Sequence, residues 1–186
     1  MIVGLTGRNA SGKGTVAAWL ERQGFGYTSL SDAIRIYLTE NGKETSRDNL
    51  IAAGNGLRQE GGPGVLAERT LPRIPVGVDF VVDSIRNPAE VAVLRRRPDF
   101  VLLEVAADEA ARYERLALRS RAGDAQSFEE FRRQEAAELA SGDPSAQQLV
   151  ATAALSDVVV ENDGDLDMLH GALDLLLPML RKRVAG

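Results

Sequence analysis

Nine residues near the start of the chain, GRNASGKGT (Gly7–Thr15), carry three glycines, a lysine directly after the second, and the Thr15 hydroxyl two places beyond that lysine. Gly7 and Gly12 let the backbone bend so that consecutive N–H groups face one concavity. A helix that starts near Lys13 adds the positive end of its dipole to that concavity. Lys13 can then set an ammonium against the β- and γ-phosphates of a nucleotide, and Thr15 can offer a hydroxyl to a phosphate or to metal-bound water. The spacing from Gly7 to Lys13 satisfies G-x-x-x-x-G-K-[ST], but Gly14 stands where a Ser or Thr ordinarily ligates Mg²⁺. The bland alternative is a glycine-rich turn that merely precedes a helix. Lysine usage argues against it: only Lys13, Lys43 and Lys182 occur, against 19 arginines, so a lysine here is not a by-product of composition. The expected cofactors are ATP and Mg²⁺. ATP is expected on Gly7, Arg8, Asn9, Ala10, Ser11, Gly12, Lys13, Gly14 and Thr15.

These residues need a frame. Ile2 to Thr6 reads as a strand, and Gly12 to about Gln23 as a helix. Phe25 to Ser29 reads as a second strand, followed by a helix capped by Ser29 or Ser31 and ended by Asn41-Gly42. Ser46 to Leu57 reads as helix. Arg58, Gln59 and Glu60 lead into a loop of Gly61, Gly62, Pro63 and Gly64, and helix resumes from Val65 to Arg73. Asp79 to Asp83 is a buried strand with an acid at its end. Pro88 suits the first turn of a helix reaching Arg96, and Phe100 to Val105 is another strand. Asp108 caps an arginine-rich helix to about Arg121. After a break at Ala122 to Gln126, Ser127 and Glu130 have capping-box spacing. A turn at Ser141 to Pro144, a helix from Ala146 to Leu155, a strand at Val158 to Glu161 and a helix from Leu166 to Arg183 complete the chain. Five apolar strands, each followed by helix, predict a single α/β domain over residues 1–186. Its architecture is three-layer α/β/α on a five-stranded parallel sheet with right-handed crossovers.

Composition narrows the chemistry. With no cysteine, and His170 as the one histidine, thiolate and multi-histidine metal sites are excluded. A net charge of −5 argues against general nucleic-acid binding. No apolar run reaches the ~20 residues needed to span a bilayer, and no signal-peptide pattern precedes the first strand. A cytoplasmic protein without membrane or nucleic-acid partners, monomeric or homodimeric, is the expectation.

In open parallel sheets ligands sit at the carboxyl ends of the strands. Asp32 and Arg35 follow strand 2, and Asp83 and Arg86 follow strand 3. Arg112, Arg115, Arg119 and Arg121 come one helix after strand 4, and Asn162 and Asp163 follow strand 5. One phosphate loop, two acids and several arginines suit phosphoryl transfer between anionic substrates, where catalysis is mainly positioning and charge neutralisation. Each has a duller account: Asp83 as a turn cap, Asp32 as a helix-start carboxylate, the arginines as a solvated helix face with intrahelical partners.

These segments resemble the P-loop nucleoside and nucleotide monophosphate kinases, over nearly the whole chain. GRNASGKGT is similar to the adenylate and cytidylate kinase loop. SLSDAIR resembles the segment whose arginine grips the acceptor phosphate, VVDSIRN the D-G-F-P-R strand end, and ERLALRSR with Gly123-Asp124 the entry to the lid. SDVVVENDG resembles dephospho-CoA kinase, where this turn lies near the donor base. GLRQEGGPGVLAERTL looks like the acceptor-side helix of proteins related to dephospho-CoA kinase and deoxynucleotide monophosphate kinases. The resemblance implies acceptor-binding helices over about 30–73 and a short helical lid over about 115–140. Lys13, Arg86, Arg119 and Arg121 become catalytic candidates, and Arg115 and Asn162 join the ATP site. Asp32, Arg35, Arg58, Gln59, Arg69 and Arg86 become acceptor-site candidates, with Asp83 and Thr15 on the metal side. The chain departs from the pattern in lacking G-F-P before Arg86. The implied activity is transfer from ATP to a small-molecule nucleotide, a (deoxy)nucleoside monophosphate. Alternatives are transfer to a ribose hydroxyl, as in dephospho-CoA kinase, and a nucleotide-binding regulatory protein without transfer activity.

Overall fold

The computed structural model describes residues 1–119, 125, 127–139 and 147–185. Its centre is a five-stranded sheet, every pairing parallel, in the order β2-β3-β1-β4-β5. The strands are β1 (Ile2–Thr6), β2 (Gly26–Ser29), β3 (Phe80–Asp83), β4 (Phe100–Ala106) and β5 (Val158–Glu161). The helices of the described residues are α1 (Lys13–Arg22), α2 (Leu30–Glu40), α3 (Arg47–Gly61), α4 (Val65–Thr70), α5 (Pro88–Leu94), α6 (Glu109–Arg119), α7 (Phe128–Leu139), α8 (Leu149–Ala153) and α9 (Leu166–Ala185).

Alternation along the strands makes two cores. Val3, Val81, Leu103 and Val105 face α1 and α9, where Val16, Leu20, Leu169 and Leu173 meet them. Ile2, Val82 and Leu102 face the other way, onto Leu30, Ile34, Leu57, Leu66 and Val91 of α2 to α5. This is the three-layer α/β/α arrangement, and strands buried on both faces read as unbroken apolar runs.

The expected strands and helices are present among the described residues, with boundary differences that have causes, and the expected turn at Ser141 to Pro144 lies outside the described residues. α3 does not stop at Leu57: it runs through Arg58, Gln59 and Glu60 to Gly61. That extra turn turns the Arg58 side chain inward, and Arg58 is buried. The expected Val65–Arg73 helix is split, with α4 ending at Thr70 and Leu71–Arg73 forming a 3₁₀ turn around Pro72. α8 begins at Leu149 rather than Ala146, and Ala146 lies outside the described residues. α9 continues through Pro178.

Strand order creates the site. From β1 the chain crosses to β2 and β3 on one side and then to β4 and β5 on the other. Connections therefore diverge at the carboxyl end of β1, which is where a crevice opens in such sheets.

Candidate functional site

The Gly7–Lys13 loop sits at that crevice. Gly7 has φ +136° and a Cβ there would meet the Val105 carbonyl oxygen at 2.3 Å, so conformation and space both demand glycine. Gly12, at φ +103°, caps α1. Among the described residues, Ala10 and Ser84 are the two non-glycine residues with positive φ, at +59° and +65°. One lies in the loop and the other in the turn after β3, and strained backbone of this kind concentrates at functional sites.

Lys13 Nζ donates to the Gly7 carbonyl at 2.7 Å and the Arg8 carbonyl at 2.8 Å. Its pKa is lowered to about 8, first by desolvation and then by the Arg86 guanidinium, with Asp83 opposing the shift and Arg112 and Arg119 adding to it. Three arginines and one acid, from the end of β3, the turn after it and α6, thus act electrostatically on the loop lysine. Asp83 Oδ1 accepts from the Ser84 N–H and Oδ2 from the Tyr27 hydroxyl at 3.4 Å. The Tyr27 pKa is pushed up to about 12 by burial and then by Asp83. Gly14 is exposed, and a Cβ there would enter open space, so packing does not require glycine at this position. Thr15 lies half-buried in the first turn of α1.

A cavity of about 420 Å³ runs from the loop into the space between α2 and α3. Gly7, Asn9, Lys13, Arg86 and Arg119 line it beside Ser31, Ile34, Arg35, Leu50, Asn55 and Arg58. Of the expected acceptor residues, Arg35, Arg58 and Arg86 therefore border one cavity. Asp32 completes the capping box of α2 through the Ser29 N–H at 2.8 Å and lies 3.7 Å from Arg35 Nε. Asp32, Gln59 and Arg69 are not among the residues of the cavity wall. Gln59 and Arg69 are exposed. Gln59 sits on the outer side of the longer α3, and Arg69 lies over the Tyr37 ring at 5.9 Å.

The arginines of α6 are not a solvated face with intrahelical partners. Arg112 is buried, forms a two-pronged pair with Glu135 of α7, donates from Nε to the Ala107 carbonyl at 3.0 Å, and lies over the Phe131 ring at 5.3 Å. Glu135 also faces Arg8 of the loop at 3.5 Å. Arg115 donates to the Asn162 carbonyl at 2.6 Å, and Arg119 Nη2 donates to Asn9 Oδ1 at 3.2 Å. Glu109 pairs with Arg132 across helices at 3.2 Å. Arg121, and the expected hinge at Gly123 and Asp124, lie outside the described residues.

Three acidic or amide side chains were missed. Glu90 is wholly buried and pairs with Arg58 at 3.2 Å, while its other oxygen accepts from the Arg86 and Asn87 N–H groups at 2.8 and 3.1 Å. Burial pushes its carboxyl up, against the pull of those donors. The signal was available: Asn87 and Glu90 have capping-box spacing. Glu135 carries no local signal because its partners, Arg112 and Arg8, are remote in sequence, and Gln147 lies at the cavity wall. Among the described residues no group of three or more His, Cys, Asp or Glu could hold a metal, and no helix is long and apolar enough to cross a membrane.

No family model matches the chain. It is 29% identical over 187 residues to a UPF0200 protein of Pyrococcus furiosus, covering 97% of each. It is 32% identical over 188 residues to one of Methanoculleus marisnigri, covering 98% of each. Among solved structures it is similar to TT1252 from Thermus thermophilus, with a TM-score of 0.59, 25% identity and 97% of each chain covered. It also shares the fold of shikimate kinase from Bacteroides thetaiotaomicron, with a TM-score of 0.59 at 12% identity, over 97% of this chain and 98% of that one. The fold is the P-loop kinase type.

Proposed function

We propose, for a chain that belongs to the UPF0200 family and has a nucleotide-binding kinase-type fold, that it transfers a phosphoryl group from ATP to a (deoxy)nucleoside monophosphate. The observation that carries this reading is the cavity itself. It joins the phosphate loop to the α2–α3 cleft, with Lys13, Arg86 and Arg119 at the junction. A donor on the loop and an anionic acceptor in the cleft would bring their phosphates together at that junction.

The chemistry follows from charge. The loop N–H groups and the α1 N-terminus hold the donor phosphates. Lys13 and Arg86 offset charge on the transferring group, and preorganised cations of this kind act where charge develops. Arg119, bridged to the loop through Asn9, is placed to join them as α6 closes as a lid over the phosphates and excludes water. Asp83 is the one carboxylate among the described residues that acts electrostatically on Lys13, and Gly14 supplies no hydroxyl. This donor set fits a Mg²⁺ that keeps much of its water, with Asp83 and Thr15 bonding to that water. Bound there, the ion would neutralise phosphate charge.

Dephospho-CoA kinase-like transfer to a ribose hydroxyl is the second reading, favoured by the SDVVVENDG turn beside the loop. A coupled assay of ADP release, run with nucleoside monophosphates beside dephospho-CoA, decides between them. Release with a monophosphate supports the proposal, and release with dephospho-CoA alone supports the second reading. Tight ATP binding with no acceptor-dependent release would instead indicate a nucleotide-binding regulatory protein.

A further inference from the structure

Where the sheet ends at β5, an open groove of about 410 Å³ runs between that strand and α9, lined by Val159, Ala172, Leu175 and Met179 among others. β5 pairs with β4 alone among the described residues, so its other side is a sheet edge. α9 buries Leu169, Leu173 and Leu180 in the sheet core. Beside that buried face runs a second apolar row of Met168, Ala172, Leu175 and Met179, and it faces solvent: Met168 is 68% exposed, Leu175 76% and Met179 65%. Val159 on the edge strand is 51% exposed. A contiguous apolar face rimmed by charge marks an interaction surface.

The row has a symmetry that identifies its occupant. Alternating steps of three and four residues, the spacing of a coiled-coil seam, extend it to Asp165 just before the helix and to Lys182 in the last turn, both exposed. Asp165 with Lys182, Met168 with Met179, and Ala172 with Leu175 all lie symmetrically about one midpoint, between Leu173 and Asp174. An antiparallel α9 from a second copy therefore sets Met168 against Met179, the small Ala172 against Leu175, and each Asp165 against a Lys182. Parallel pairing would set acid on acid and base on base. A two-fold contact between identical chains requires a patch that complements itself in this way.

We propose that a second copy of this chain covers the α9–β5 face, with the two α9 helices antiparallel about a two-fold axis beside Leu173 and Asp174. Leu175 and Met179 of each copy lose their exposure to the other, and the two Asp165–Lys182 pairs fix direction and register. None of these residues lines the cavity beside the phosphate loop, so the interface is separate from the candidate site and independent of the transfer reading.

The test is sedimentation velocity of the full chain at loadings from about 1 to 500 µM, a range that brackets the affinity of a modest interface. The wild type should sediment at twice the 20.0 kDa chain mass within that range. Leu175→Asp should sediment as a monomer throughout, while Val76→Asp, at a position 87% exposed and away from the groove, should remain a dimer. Lys182→Glu sets like charges together twice per dimer and should raise Kd about tenfold. Adding Asp165→Lys to it restores opposite charges in the antiparallel register only, and should recover the dimer. Asp165 also accepts from the Met168 N–H at 2.9 Å, so should the double variant fail to fold, Leu175→Asp carries the test, since so exposed a position tolerates the change. A wild type that stays monomeric to the highest loading, a dimer indifferent to Leu175→Asp, or a folded double variant that stays dissociated overturns the proposal. A monomer that instead sediments with phosphatidylglycerol vesicles, and loses that binding in Leu175→Asp, would assign the face to a membrane and also overturn it.

Discussion

Asn162 lies 151 residues after Ser11, and its Nδ2 donates to the Ser11 carbonyl at 2.8 Å. The same amide occupies the space beside Gly12, where an added Cβ would sit 2.1 Å from Nδ2. Arg115 of α6 in turn grips the Asn162 carbonyl. The turn after β5 therefore holds the phosphate loop, and α6 holds that turn. Asn162→Ala is expected to weaken ATP binding by about tenfold, the worth of one well-buried hydrogen bond. Gly12→Ala should be worse, since it adds a clash to a backbone angle that disfavours side chains. ATP titration by calorimetry reads both, and unaltered affinity in Asn162→Ala would refute the strut.

Lys13→Ala should abolish transfer while leaving ATP binding weakened but measurable. The lysine also makes binding depend on pH. With its pKa lowered to about 8, the ammonium is largely present at pH 7 and largely lost by pH 9. Phosphates favour the charged form, so at pH 8.5 ATP binding should take up a proton, and affinity should fall as pH rises through 8. Calorimetry in buffers of different ionisation enthalpy measures that uptake. Zero uptake with wild type would contradict the shift.

Glu90 neutralises Arg58 in the core and positions the turn that carries Arg86. Glu90→Ala leaves a buried, unpaired guanidinium, for which the expected cost is about 3–5 kcal/mol. Urea unfolding should register a lower midpoint with little change in slope. A loss below about 1 kcal/mol, the range of exposed pairs, would mean the pair is wetter than its burial implies.

Arg119→Ala should lower kcat by about a hundredfold and leave ATP affinity nearly unchanged, as for a donor that acts in the transition state. A change confined to KM for the acceptor would move Arg119 to the acceptor site.

What the sequence made legible is whatever one segment determines alone. The apolar runs became strands, and GRNASGKGT became a loop at the end of β1, because local pattern and local geometry agree there. Arg58 was legible as a residue and misjudged as a place. The glycines after it pointed to a loop, yet burial against Glu90 carries α3 through Gly61. Gln59 and Arg69 share a segment with Arg58, and proximity in sequence does not set which way a helix faces. Glu135 and Asn162 have partners far along the chain, and no spacing rule records such pairs.

The contact between α6 and α7 has a consequence for how the molecule opens. Leu116, Ala125 and Phe131 form a small apolar cluster of their own, joined by Tyr113 and by Ala10 of the phosphate loop, apart from both sheet cores. So small a cluster makes α6 and α7 a cooperative unit whose unfolding costs far less than that of the sheet. Amide hydrogens of α6 and α7 should accordingly exchange with deuterium by sub-global opening, well ahead of those in β1 and β4. Because Ala10 belongs to both the cluster and the loop, a nucleotide that rigidifies the loop should slow that exchange. Mass spectrometry of peptides spanning 109–119 would then register occupancy of a site whose backbone they do not contain.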